Sequence, residues 1–142
     1  MLSTIVVGTD GSQTARRAVA LAAELARQLG ATLHVVHGYH PPAVLEGAGE
    51  AVAGAVTATS AMWRELGESV VADALADPGL EGVAVIGHSV AGGAWQAVVS
   101  VAEEVGADLV VVGNRGMRAA GGSVPDAVVT HAPCHVLIAK TT

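Results

Sequence analysis

The chain has no phenylalanine, and Tyr39, Trp63 and Trp95 are its only aromatic side chains. Its core must therefore be assembled from Val, Ala, Leu and Ile, and it has no set of rings on which single-stranded bases could stack. Basic residues are also scarce: seven Lys and Arg stand against 13 Asp and Glu, a formal charge of −6. An acidic chain without basic clusters is poorly suited to nucleic acid or to an anionic membrane surface, so neither is expected as a partner. Cys134 stands alone, which excludes an internal disulfide and suits a reducing cytoplasm. The opening MLSTIVVGTDG lacks the basic n-region of a secretory signal. The most membrane-like window, Ala43 to Met62, carries Glu46, Glu50 and three glycines, so no spanning helix is expected there.

What the chain does contain is a regular alternation. Its 142 residues suit a single domain, 1–142, large enough for one real core. Thr4 to Val7 is a β-branched run without polar alternation, as expected of a strand buried on both faces. Thr9 to Ser12 form the turn after it, with Ser12 placed to cap a helix over Gln13 to Leu29. In that helix Ala15, Ala18, Val19, Ala22, Leu25, Ala26 and Leu29 share one stripe, and Gly30 closes it. Ala31 to His37 reads as a second strand. Gly38 to Thr57 has no firm period and reads as a loop passing into a helix over Thr59 to Asp77, with Met62, Leu66, Val70 and Leu75 among its apolar positions. Pro78 and Gly79 end that helix. Val83 to Ile86 reads as strand three, Ala94 to Val105 as a helix with Trp95 on its apolar stripe, and Leu109 to Val112 as strand four. Ser123 caps a short helix with Pro125 in its first turn, and His135 to Ala139 is the last strand. This order predicts an α/β fold with a doubly wound parallel sheet and helices on both faces.

Two segments echo one another. IVVGTD and VVVGNR are both valine strands that end in glycine and then turn polar. If strands one and four lie side by side where the winding reverses, their loops open into one crevice, the usual ligand position of such sheets. The second echo leads into the stretch LVVVGNRGMRAAGGS, with Gly113, Gly116, Gly121 and Gly122 before Ser123 and a helix start. A buried strand, a glycine loop and a helix N-terminus together form an anion cradle of backbone N–H groups. The plain alternative is a tight turn requiring positive φ, with Ser123 as an ordinary N-cap.

The segments TIVVGTDGS, GADLVVVGNRG and GSVPDAVVTHAPCHVLIAK resemble the universal stress protein family. The similarity runs over most of the chain and is weakest between His40 and Asp77. It implies a five-stranded, Rossmann-like parallel sheet of the adenine-nucleotide alpha-hydrolase type, in a domain that usually dimerises. Many members bind ATP and others do not. The ATP-binding branch carries glycine, two residues, glycine, nine residues, glycine, then Ser or Thr. Gly113 and Gly116 match the first pair, and Gly122 and Ser123 match the last. Between them lie only Met117 to Gly121, so the loop is four residues shorter than that pattern. By the same resemblance Asp10, Val36 and Val112 line the adenosine side. The candidate nucleotide site is Gly8, Thr9, Asp10, Val36, Val112, Gly113, Arg115, Gly116, Gly122, Ser123 and Val124, for ATP or AMP, with Mg²⁺ as an optional companion ion.

Several of these residues carry two readings. Asp10 beside phosphates needs a metal, since like charges repel; otherwise it accepts from the adenine amino group or a ribose hydroxyl, or closes an Asx turn. Arg115 and Arg118 are the loop's cations, and each is either a phosphate contact or a solvated side chain. Asp126 suits the helix dipole but competes with an anion there. His34, His37 and His40 are three apart, so on a strand neighbouring members of the series face opposite ways and do not converge on a metal. Cys134, flanked by His131 and His135, reads as a small buried thiol rather than a nucleophile.

Enzymatic signatures are missing. There is no GK[ST] after the glycines, TDGS does not match the SGGxDS loop of ATP pyrophosphatases, and no Ser–His–Asp or carboxylate pair can be placed in the crevice. The sequence thus leaves open a nucleotide-binding sensor without strong catalysis, a nucleotide-free dimeric interaction module, and a slow metal-dependent ATPase. The short apolar strand HVLIAK belongs at a sheet edge, where pairing with a second copy would cover it.

Overall fold

The computed structural model describes residues 1–40, 49–117 and 122–142, with the side chains of 50–53 and 55–58 outside the description. Within it, strands β1 (Thr4–Gly8), β2 (Thr32–Tyr39), β3 (Ala84–Ala91), β4 (Leu109–Gly113) and β5 (His135–Ala139) form one parallel sheet in the order β3-β2-β1-β4-β5. The expected doubly wound sheet is therefore the observed one. β1 and β4 are neighbours, and β5 lies at an edge, as the sequence predicts.

Period-two alternation divides the strand side chains between two cores. Ile5, Val7, Leu33, Val35, Leu109 and Val111 face helix α1 (Gln13–Leu29), which returns Ala18, Val19, Ala22, Ala23 and Ala26. Helix α2 (Glu50–Leu75) continues this layer beside β2 and β3. Val6, Val36, Val110 and Val112 face the opposite layer of α3 (Ala94–Val105) and α4 (Val124–His131). Trp95 of α3 stacks on His131 of α4, with ring centroids 4.6 Å apart.

α1 has the bounds that its stripe and caps dictate. Ser12 Oγ accepts from Ala15 N at 3.2 Å, and Gly30 takes the left-handed conformation at φ 65°. At the far end of the sheet Asp108 accepts from the Ser3 and Thr4 amides at 2.9 and 3.0 Å, tying the start of β4 to the start of β1. Those two amides hold its carboxyl below the usual carboxylate range.

Three expectations need correction. β2 extends to Tyr39 rather than ending at His37, because β3 pairs with it over eight residues. β3 itself continues from the expected Val83–Ile86 run through Gly87, His88 and Ser89 to Ala91. Gly87 is required there: a Cβ would lie 2.5 Å from Val71 Cγ1 and 2.8 Å from Leu75 Cδ1, so α2 packs directly on the strand backbone. Lastly, α2 begins at Glu50, well inside the expected loop of Gly38 to Thr57, of which residues 41–48 lie outside the described residues. Its expected apolar positions Met62 and Leu66 point to solvent, and Val71 makes the buried contact. A single 3-10 turn, Pro78–Leu80, follows α2.

Candidate functional site

The C-terminal ends of β1 and β4 diverge into a cleft of about 380 Å³. All eleven residues proposed from the sequence line it: Gly8, Thr9, Asp10, Val36, Val112, Gly113, Arg115, Gly116, Gly122, Ser123 and Val124. Sequence reasoning missed Ser12, Thr14 and Ala15 from the start of α1, His37 and Gly38 from β2, Ala94 and Val98 from α3, Pro125, and Thr141 beyond β5. The α3 residues carry no motif of their own and reach the cleft through the crossover.

The floor is held by close backbone approach. A Cβ on Gly8 would lie 3.0 Å from Val98 Cγ2, and one on Gly38 would lie 2.8 Å from the Gly93 carbonyl. Thr9 is the hub of one wall. Its N–H donates to the Val36 carbonyl at 2.8 Å, its hydroxyl accepts from Gly11 N at 3.1 Å, and its carbonyl lies 2.8 Å from His37 Nδ1. A carbonyl can only accept, so Nδ1 carries the hydrogen, and Nε2 is the ring nitrogen left for another partner.

Asp10 closes an Asx turn, accepting from Ser12 N at 2.9 Å, while remaining part of the lining. Partial burial pushes its carboxyl up, but the hydrogen bonds from Ser12 and the charge of Arg115 outweigh this and leave it lowered. Arg115 thus shares its field between the cleft and Asp10. Arg118, its expected companion, lies outside the described residues, as does Gly121.

On the glycine-loop side, Gly116 and Gly122 take positive φ of 85° and 89°, as the tight-turn reading requires. A Cβ on Gly116 would sit 3.5 Å from Ser123 Cβ, so the described residues at either end of the loop lie near one another. Ser123 Oγ accepts from Asp126 N at 3.3 Å and donates to the Asp126 carboxylate, a cap closed on itself. Asn114 serves the fold: its Oδ1 accepts from Thr141 N at 2.8 Å and from Thr142 N at 3.2 Å, anchoring the chain beyond β5. The amides of Asn114 and Met117 are bonded to the carbonyls of Ala139 and Asn114. Those of Arg115, Gly116, Gly122 and Val124 have no partner among the described residues. They are the donors a bound anion would meet.

The histidines and the cysteine lie elsewhere. His34 and His37 face opposite ways, as strand geometry demands, but His34 meets His88 of the neighbouring strand, Nδ1 to Nε2, at 2.8 Å. That pair was not legible, because His88 sits in a segment that did not read as strand. Cys134 is half-buried; burial and the nearby Asp108 charge push its thiol up, away from nucleophilic use. Among the described residues no helix is long and apolar enough to cross a membrane.

Comparison with known proteins agrees with this architecture. The chain is 36% identical over 146 residues to a universal stress protein of Thermus aquaticus, covering 99% of this chain and all of that one. A universal stress protein solved in complex with cAMP superposes with a TM-score of 0.77 at 31% identity, covering 99% of this chain and 98% of the other. A universal stress protein of Archaeoglobus fulgidus in complex with dAMP superposes with a TM-score of 0.58 at 25% identity, covering 97% and 98%. The model of the universal stress protein family matches residues 1–140, and the chain belongs to that family.

Proposed function

We propose that the cleft holds an adenine nucleotide and that the protein acts as a nucleotide-responsive sensor of the stress response, without strong catalysis. One observation carries the reading: every residue proposed from the sequence lines a single cleft at the point where β1 and β4 diverge. The cAMP and dAMP complexes of its structural relatives support the same ligand class. In this reading the adenosine lies between Val36 and Val112, Asp10 or His37 accepts from a nucleotide N–H or hydroxyl, and the amides of Arg115, Gly116, Gly122 and Val124 meet phosphate. ATP, with Mg²⁺ held by Asp10, belongs to the class proposed. The protein is further read as cytoplasmic and as a homodimer joined through β5, whose Val136, Leu137 and Ile138 are half-buried in the single chain.

Holding a nucleotide needs donors and shape, whereas cleaving it also needs a positioned water and charge neutralised at the reacting phosphate. The described lining offers Arg115 for the second task, and Asp10 draws on it. The test is to denature purified protein, run the supernatant on an ion-exchange column, and repeat thermal melts with added nucleotide. Stoichiometric adenine nucleotide, or an upward shift of Tm, is the expected result. An empty trace and no shift favour the nucleotide-free interaction module. Phosphate release that disappears in Asp10→Ala identifies a slow ATPase.

A further inference from the structure

A second cavity, of about 470 Å³, lies between the start of α1 and the C-terminal end of α2. We infer that it binds a free basic amino acid, one carboxylate and two separated cations on an aliphatic chain. This goes beyond the nucleotide reading and does not rest on it. The turn from Thr9 to Gly11 separates the two spaces, and Thr9 and Asp10 line both. Gly11 seats that turn on α2: its φ is 81°, and an added Cβ would lie 3.4 Å from Val70 Cγ1.

The two helix ends that meet at this cavity carry charges of the wrong sign. Arg16 is the fourth residue of α1, at the positive end of the helix dipole, and no acidic residue stands in that first turn. Asp73 lies in the last turn of α2, at the negative end, and no basic residue accompanies it there. Asp77 follows just beyond the helix. An arginine and two aspartates so placed would relieve one another by pairing. They do not pair: the side chains of Arg16 and Asp73 have no hydrogen bond or ion pair among the described residues. Asp77 Oδ1 accepts from the Gly79 amide of its own turn at 2.8 Å. All three line the cavity, so its two signs of charge face a common space without meeting.

A ligand that completes both ends needs an anion for Arg16 and a cation for the carboxylates. The lining holds three aspartates, Asp10, Asp73 and Asp77, against one arginine, so two cations suit it better than one. The carboxylates do not converge: among the described residues no group of three His, Cys, Asp or Glu is placed to hold a metal ion. The two cations must therefore stand apart on one flexible molecule. The stem between them meets the apolar part of the wall, Val19, Val70, Ala74 and Pro78. Lysine and arginine, as free amino acids, have this layout.

Calorimetric titration of the full chain at constant ionic strength tests the inference, with lysine, arginine, cadaverine and norleucine as probes. Cadaverine is lysine without its carboxylate, and norleucine is lysine without its side-chain ammonium. The expected result is saturable binding of lysine or arginine, with cadaverine and norleucine each about tenfold weaker or more, the effect of one lost charge-assisted contact. Arg16→Gln should weaken lysine about tenfold and leave cadaverine unchanged, whereas Asp73→Asn should weaken both. Both side chains are exposed and unpaired, so melts of these variants should match that of the unaltered protein. No saturable binding of either basic amino acid overturns the inference. So does cadaverine binding as tightly as lysine, or a lysine affinity that neither variant changes.

Discussion

Helix α1 turns Ala18, Val19, Ala22, Ala23 and Ala26 onto the sheet, while α2, on the same face, leaves Met62, Trp63 and Leu66 in solvent. α1 is closed by a serine hydroxyl at one end and a left-handed glycine at the other; α2 starts at Gly49 with no side-chain cap. Small side chains bring α1 close to β1 and β4, the strands that open into the cleft. The contact of α2 with the sheet runs instead through Val71 and Gly67, and through β3 at an edge. The layer is rigidly specified where it supports the site and loosely specified away from it.

The widest gap between the regions should appear on truncating leucines of each. Leu33 is wholly buried beneath this layer, whereas Leu66 of α2 is 53% exposed. Leu33→Ala should cost about 2–5 kcal/mol, from lost burial and the cavity left behind. Leu66→Ala should stay within about 0.5 kcal/mol. Urea melts of both variants decide the point: equal losses would mean that α2 buries Leu66 against something the single chain does not show.

A finer contrast uses glycines within the α2–β3 unit. Gly87→Ala places a methyl 2.5 Å from Val71 and 2.8 Å from Leu75, and should cost about 1–3 kcal/mol as the side chains are displaced. Gly54, inside α2, has nothing among the described residues within 4 Å of an added Cβ, and its conversion to Ala should gain about 0.5–1 kcal/mol from helix propensity. Thermal midpoints moving in opposite directions would confirm that α2 is packed tightly on the sheet at Gly87 and is open at Gly54. A loss in both would show that its first half is also packed.

The same contrast explains how much of the molecule was legible. Around β1, α1 and β4 the signals agree: valine runs for strands buried on both faces, a hydrophobic stripe, Ser12 and Gly30 at the ends, and glycines where strands become loops. That agreement placed all eleven proposed residues at one cleft. Around α2 and β3 the signals conflict. Gly87, His88 and Ser89 look like a turn, and only the approach of Val71 and Leu75 explains a glycine inside a strand. Ala, Gly and Val through the start of α2 give no clear period, so its start was missed. Ser123 as an N-cap and Asp126 near the helix dipole were legible, but that Ser123 lies near Gly116 depends on where the chain places two turns in space.

The smallest expected effect concerns the pairing of β2 with the edge strand β3, and it is read through pH. His34 and His88 stand 2.8 Å apart, ring nitrogen to ring nitrogen, which requires a hydrogen on one and a lone pair on the other. Burial, and then the charge of His88, hold His34 below its ordinary value of 6.5. Below pH 6.5 the unfolded chain therefore takes up a proton that the folded chain refuses, and the folded state loses stability as pH falls toward the lowered value. Above 6.5 both states are neutral at this position and the contribution is flat. The informative quantity is the difference in stability between the unaltered protein and His34→Asn, measured by urea melts from above pH 6.5 downward. The difference should move in favour of the variant as the solution is acidified, since asparagine takes up no proton in either state. A difference that stays constant with pH would mean that the folded pair accepts the second proton freely. In that case β3 would have to shift away from β2 to relieve it, and the loosely specified edge of the sheet would be softer than its eight-residue register implies.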